Sequence, residues 1–281
     1  MPSHIAHLLF AEEATRRFVV DSNQLLSEAG NALRLGAQGP DLFYHSLRTK
    51  PRGFRFGPLM HRTRFGSLVN SFLDHATSNT ETTAFALGLA THAALDRRWH
   101  PYIVYHAGWV VPEKPETRRL SRCHAFLERV LDVLLSEKLG IDAYRIDFFS
   151  NVYLGEELPK SIRDALVASI AQVYPRLHEP MDTTARVINA YRDSLRFYTI
   201  TDTRNPRFRQ NAKNLERNES NGRRRLAIFH PIVIDRTVDW ANDSNRRWRH
   251  PCDPKDISTD SIFDLFDQAL NDVAPMLRAI L

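Results

Sequence analysis

The sequence predicts an all-α protein, a multi-helix bundle, and three observations carry that prediction. Glycine is scarce, 11 residues in 281, and long stretches of Ala, Leu, Arg and Glu repeat with a helical period. The segment Leu87-Gly-Leu-Ala-Thr-His92-Ala-Ala-Leu-Asp96-Arg-Arg-Trp-His100-Pro101 spaces two imidazoles and a carboxylate at i, i+4 and i+8. Each four-residue step overshoots a helical turn by only about 40°, so the three side chains share one face of a helix. A third stripe, Leu120, Cys123, Leu127, Val130, Leu131 and Leu134, repeats the pattern further on and ends at Gly140.

Taken in order, His4 to Leu35 reads as one or two helices, with Ala6 to Ala11 opening an apolar face and Leu25, Leu26, Ala29, Ala32 and Leu33 continuing it. Gly36 to His45 breaks the period, and Asp41, directly after Pro40, suits the first turn of a new helix. Lys50 to Pro58 is a basic loop. Met60 to Ala76 is expected as one helix with His61 near its start. Glu81 to His100 is the central helix, capped from Thr80 to Thr83 and stopped by Pro101, and Tyr102 to Pro115 is a loop rich in aromatics. Glu116 to Leu139, Lys160 to Tyr174, Asp182 to Tyr198 and Asp260 to Leu281 are further helices. The run Ile232-Val233-Ile234 has no clear assignment. The expected organisation is one all-α domain over 1–281, with a metal-site half at 1–140 and a peripheral helical half at 141–281 that carries a polar loop at about 202–225.

Composition narrows the function. The chain is 43% hydrophobic and 25% charged, ordinary for a globular protein. It has no run of about 18 apolar residues that would cross a bilayer. The first residues lack a basic n-region and reach Glu12 and Glu13 early, which reads as no signal peptide and a cytoplasmic protein, with Cys123 and Cys252 as free thiols. The net charge of +5, with arginine concentrated at 204–225 and 246–249, suits phosphate groups of lipid headgroups or nucleic acid, or simply a solvated basic face.

The chemistry lies in the first half, because only His178, His230 and His250 of the 12 histidines follow residue 124. A line of ligand-type side chains on an apolar helix is costly unless something satisfies it, and a metal ion is the simplest candidate. His124 and Glu128 form a second i, i+4 pair able to grip one zinc ion, with His100 placed to complete the set; His92 and Asp96 are placed to hold another, with His61 as third ligand. Nitrogen and carboxylate donors without an implied thiolate suit Zn²⁺ best, and Mn²⁺ or Fe²⁺ less well. Cys123 points about 100° away from His124 and is expected in the core. His75, His106, His178, His230 and His250 read as surface or hydrogen-bonded core histidines.

Several of these pieces resemble the bacterial zinc-dependent phospholipases C, whose helical fold is shared with the S1/P1 nucleases. They are Ala6-His7-Leu-Leu-Phe, Gly36-Ala-Gln-Gly-Pro-Asp41-Leu-Phe-Tyr-His45, His61, His92-Ala-Ala-Leu-Asp96-Arg-Arg-Trp-His100-Pro and His124-Ala-Phe-Leu-Glu128, in the family's order over roughly residues 1–140. The resemblance implies a bundle of the phospholipase C/P1 nuclease type with two or three zinc ions. His61, His92 and Asp96 would hold the first, His100, His124 and Glu128 the second, and Asp96 with His7 the third. Asp41 matches the family's unligated aspartate, which orients or deprotonates the attacking water. Secreted members expose an N-terminal Trp that ligates the third zinc, whereas this sequence has Met1-Pro2, leaving His4 or the mature N-terminus for that place. Asp96 and His100 are also closer in sequence than in the best-known secreted enzymes, and the four-residue step keeps His100 on the helix face.

The implied activity is hydrolysis of a phospholipid or related phosphodiester, with a peripheral membrane contact and with Phe43, Tyr44, Tyr102, Tyr105 and Trp109 as candidate headgroup or glyceride contacts. A nuclease or 3′-nucleotidase acting on nucleic acid is the alternative on the same fold. A non-catalytic, metal-binding helical protein is the alternative from a different class. The sequence leaves the oligomeric state open.

Overall fold

The computed structural model describes residues 4–108, 113–205, 210 and 229–281. Met1, Trp109 and most of the polar stretch at 202–225 lie outside the described residues. The fold is all-α. Its helices are α1 (Ile5–Phe18), α2 (Ser22–Gly36), α3 (Asp41–Tyr44), α4 (Phe56–Arg62), α5 (Phe65–His75), α6 (Thr80–Ala107), α7 (Leu120–Lys138), α8 (Phe148–Val152), α9 (Lys160–Val173), α10 (Pro180–Ile200) and α11 (Ile262–Ile280). One antiparallel hairpin, β1 (Trp248–His250) and β2 (Asp253–Ser258), pairs Trp248 with Ser258 and Arg249 with Ile257.

The chain resolves into two compact units, each drawn from separate stretches of sequence. The first comprises the chain up to Leu9, Leu95–Asp147 and Thr201–Asn271; the second comprises Phe10–Ala94, Phe148–Ile200 and Asp272–Leu281. Helices α1, α6 and α11 contribute to both.

In the second unit, α6 is apolar on all sides and buried: Ala84, Phe85, Ala86, Leu87, Leu89, Ala90 and Ala94 are all below 4% exposed. Asn79 caps its start by accepting the Thr82 N–H at 2.9 Å, so the cap lies one residue before the threonines that sequence favoured. Helix α2 packs on it without side chains at the crossing. A Cβ at Gly36 would lie 2.2 Å from the Phe85 carbonyl oxygen, and one at Gly88 would lie 2.2 Å from that of Leu33. Helix α10 holds the 42–51 segment: Ser194 Oγ donates to the Leu42 carbonyl at 3.0 Å, Asn189 to that of Pro51 at 3.1 Å, and Asp193 Oδ2 accepts the N–H groups of Arg48 and Thr49 at 3.0 Å each. These bonds fix the short α3, and with it Asp41.

In the first unit, α7 buries Leu127, Val130, Leu131, Val133 and Leu135 and ends at Gly140, whose φ is +72°. Helix α11 opens with a reciprocal cap, Ser261 N–H donating to Asp264 Oδ2 at 2.8 Å and Asp264 N–H to Ser261 Oγ at 3.2 Å.

Four expectations are corrected. The helix expected over 60–76 is two helices, broken where Arg64 adopts φ +58°, so His61 lies near the end of α4 rather than at the head of a longer helix. Pro101 does not stop α6, which runs on to Ala107. The hydrogen bond that Pro101 cannot donate is offset by anchors on either side: Trp99 donates its indole N–H to the Ile262 carbonyl at 3.1 Å, and Tyr102 its hydroxyl to that of Trp240 at 2.8 Å. Tyr102 is therefore helical and buried, not part of a loop. Cys123 is exposed rather than in the core, because α7 turns its buried face at Leu127, Val130 and Leu131.

The α2–α6 crossing yields a direct test. Gly88→Ala drives a methyl group into backbone atoms that cannot swing aside, and should cost about 3 kcal/mol of stability, at the upper end of overpacking penalties, in denaturant unfolding.

Candidate metal centre

The first unit gathers five of the predicted ligands. Asp96 Oδ1 lies 3.3 Å from His7 Nε2 and 3.2 Å from His100 Nε2. Glu128 Oε1 lies 3.6 Å from His100 Nε2 and 3.0 Å from His124 Nε2. The rings of His100 and His124 meet edge to face with centroids 5.4 Å apart. Helix geometry explains the placement: Asp96 and His100 occupy successive turns of α6, His124 and Glu128 successive turns of α7, and His7 the first turn of α1.

The donor set fits zinc. One ligand atom from each of His100, His124 and Glu128 lies within 4.8 Å of the other two. Two ligands about 2.0–2.1 Å from a common ion subtend roughly 95–120° when 3.0–3.6 Å apart, the separations of Glu128 Oε1 from the two imidazoles and the range of a tetrahedral site. The buried Glu128 Oε2 has no hydrogen-bond partner among the described residues. Burial alone would push the Glu128 carboxyl up, but the adjoining imidazoles of His124 and His100 outweigh it and hold the group ionised, well below the usual carboxylate range. An anionic, dry carboxylate facing two imidazoles is the electrostatic environment a divalent cation fills.

The second unit brings together Asp41, His61 and His92. His61 Nε2 lies 2.9 Å from Asp41 Oδ1, and the His61 and His92 rings pack edge to face at 5.5 Å. His61 donates its Nδ1 proton to the Gly57 carbonyl at 2.8 Å, and His92 its Nδ1 proton to the Ala37 carbonyl at 3.0 Å. A carbonyl only accepts, so Nδ1 carries a proton in both rings, the arrangement that in metal-ligating histidines leaves Nε2 for the ion. At His61 that nitrogen faces the Asp41 carboxylate, which lies within hydrogen-bond distance of it. Gly39, at φ +50°, makes room for this: a Cβ there would lie 2.7 Å from Cγ of His92.

The remaining candidates scatter. Phe43 is buried against Phe56, Tyr44 leans on the His61 ring with centroids 5.1 Å apart, and Tyr105 is exposed. His75 pairs with Gln172 and His178 with Thr183.

Sequence reasoning missed a buried polar group beside the ligands. Asp132 accepts the Ala6 backbone N–H at Oδ1 and meets His230 Nε2 at Oδ2, both at 2.7 Å, while Arg129 Nη1 lies 3.4 Å from Oδ2. The signal was available: His124, Glu128 and Asp132 continue one i, i+4 line along α7, and a carboxylate inside an apolar stripe needs a partner.

With this geometry in place, the class is a helical protein whose histidines and carboxylates form zinc-type clusters. The zinc dependent phospholipase C family model matches residues 6–178, most of the chain, and the protein belongs to that family. No curated protein and no solved structure shows significant similarity to it.

His230 supplies a pH test. Burial outweighs the attraction of Asp132 and holds its pKa below the ordinary 6.5. Between that lowered value and 6.5 the unfolded chain binds a proton that the folded chain does not, so stability rises with pH across the window and is lost as pH falls below 6.5. Unfolding free energies at pH 7.5 and 5.5 should therefore differ more in the parent than in His230→Gln.

Proposed function

We propose that the protein is a zinc-dependent phosphodiesterase of the phospholipase C type, hydrolysing a phospholipid or related phosphodiester with water. The observation that carries the reading is the pairing of imidazole Nε2 atoms with the carboxylates of Asp96 and Glu128 at separations suited to zinc, in a chain that belongs to this family.

In this reading His100, His124 and Glu128 hold one zinc ion, and His7 and Asp96 are further ligands of the same unit. In the second unit His61 and His92 are the ligands. Zinc so held supplies Lewis-acid stabilisation of charge on the phosphoryl oxygens and acidifies water at neutral pH. The side chains do the rest. Asp41 orients the attacking water and takes its proton at Oδ2, which is buried with no hydrogen-bond partner among the described residues. The Nδ1 tethers of His61 and His92 keep both rings fixed as the proton moves.

Location and access to substrate are part of the proposal. The exposed thiols of Cys123 and Cys252 support a reducing, cytoplasmic compartment. Among the described residues no helix is long and apolar enough to cross a membrane, so contact with lipid in this reading is peripheral.

Zinc-loaded protein incubated separately with phosphatidylcholine vesicles, single-stranded DNA and 3′-AMP tests the substrate. Release of diacylglycerol supports the proposal; cleavage of DNA or 3′-AMP alone replaces it with a nuclease or 3′-nucleotidase; full zinc occupancy with no turnover of any of the three replaces it with a structural metal site. Asp96→Ala should lose zinc and activity together. Asp41→Asn should retain zinc, counted by elemental analysis, while kcat falls about 10²–10⁴-fold; parental turnover in that variant removes Asp41 as the base.

A further inference from the structure

The buried group around Asp132 has no part in the chemistry proposed above, yet each of its partners adjoins a proposed ligand or joins a distant part of the chain to one. Asp132 follows Glu128 by one turn on α7. Ala6, whose N–H it accepts at 2.7 Å, directly precedes His7. Arg129, fully buried, directly follows Glu128. His230, 2.7 Å from Oδ2, belongs to the C-terminal part of the first unit.

Helix physics says what Asp132 does there. The first N–H groups of a helix have no intrahelical acceptor and carry partial positive charge, which favours an anion. Helix α1 has no acidic residue in its first turn. Asp132 supplies that charge from another helix, a cap across 126 residues of sequence. The cap sets the start of α1 in register with α7, and so sets His7 in register with Glu128. His230 Nε2 and Arg129 Nη1, 2.7 and 3.4 Å from the other oxygen, hold the carboxylate aimed at that N–H. A tie of this kind, behind the ligands rather than on the ion, is how metal sites fix ligand direction.

We infer that Asp132 is a positioning residue for the metal ligands of this unit, holding His7 against α7, with His230 as its brace. The inference rests on the zinc reading of the site and goes beyond it by assigning a role to residues that touch no ion.

The test uses the full chain and four variants: Asp132→Ala, Asp132→Asn, His230→Ala and His230→Gln. Zinc affinity is read by competition with a chromophoric chelator. The visible absorption of the cobalt-substituted protein reads ligand geometry, which a loss of packing alone would leave unmoved. Asp132→Ala should lose zinc affinity 10–100-fold, the usual cost of removing such a partner, and change the cobalt bands. Asp132→Asn keeps an oxygen for the Ala6 N–H and should lose less, several-fold; it is also the deciding variant should the alanine form fail to fold. His230→Ala should follow the same direction, and His230→Gln, which retains a donor, should recover most of the loss. Parental zinc affinity with unchanged cobalt bands in a folded Asp132→Ala, or in Asp132→Asn where the alanine form does not fold, overturns this inference and leaves the zinc reading standing. A parent protein that takes up no zinc overturns both.

Discussion

Asp96 Oδ1 faces two imidazole nitrogens, 3.3 Å away on His7 and 3.2 Å away on His100, from a side chain only 16% exposed. Much of the first unit answers to that one carboxylate. Burying a charge costs several kcal/mol unless opposite charge and hydrogen bonds offset it. The chain meets that cost by bringing basic nitrogens to the carboxylate from α1 and from the next turn of α6. It repeats the device one helix away, where Glu128 is 2% exposed and meets His124 and His100. His100 serves both carboxylates. The helices α1, α6 and α7 are thereby tied to one another through polar atoms, and their apolar faces have to pack in the register those atoms dictate.

The two units hold their candidate ligands by different means. In the second, backbone carbonyls do it: those of Gly57 and Ala37 take the Nδ1 protons of His61 and His92 and select the tautomer. That solution needs the backbone close to the ring, which is why Gly39 stands where any Cβ would strike His92. In the first, a side-chain carboxylate, Asp132, orients the start of the helix that carries a ligand. A backbone tether tolerates many side chains at the tethering residue. A carboxylate tether depends on one residue and on the partners that hold it in place.

This difference also explains what could be read from the sequence. The i, i+4, i+8 line of His92, Asp96 and His100 and the pair His124 and Glu128 were legible, because helical periodicity alone places them on one face. The place of Asp41 in the first turn of α3 was legible from the Pro40 before it. What failed was whatever depends on contacts distant in sequence. Pro101 reads as a stop, and only the anchors of Trp99 on Ile262 and Tyr102 on Trp240 show why the helix continues through it. The break at Arg64 requires a left-handed residue that sequence does not announce in an arginine, and the corner is held from outside by Tyr174, whose hydroxyl donates to the Thr63 carbonyl at 2.7 Å. The three-residue strand at Trp248 is too short to show an alternation.

The C-terminal residues of the first unit complete the argument. The family match ends at residue 178, yet three side chain–backbone or side chain–side chain bonds join later residues to α6 and α7: Trp99 to Ile262, Tyr102 to Trp240, and Asp132 to His230. Arg236 adds a two-pronged pair to Glu137 near the end of α7, at 2.9 and 2.6 Å. The exposed Arg236 pair contributes little by itself, since surface ion pairs are worth about 0–1 kcal/mol. The bonds of Trp99 to Ile262 and of Asp132 to His230 are buried and that of Tyr102 to Trp240 is half-buried, and they matter more, because breaking the buried ones strands a polar group away from water. Two of them flank Pro101, which directly follows His100 and lies little more than one turn beyond Asp96. Residues outside the matched region thus brace the very turn of α6 that carries two of the candidate ligands, and the helix continues through its proline there because distant parts of the chain hold both sides of it.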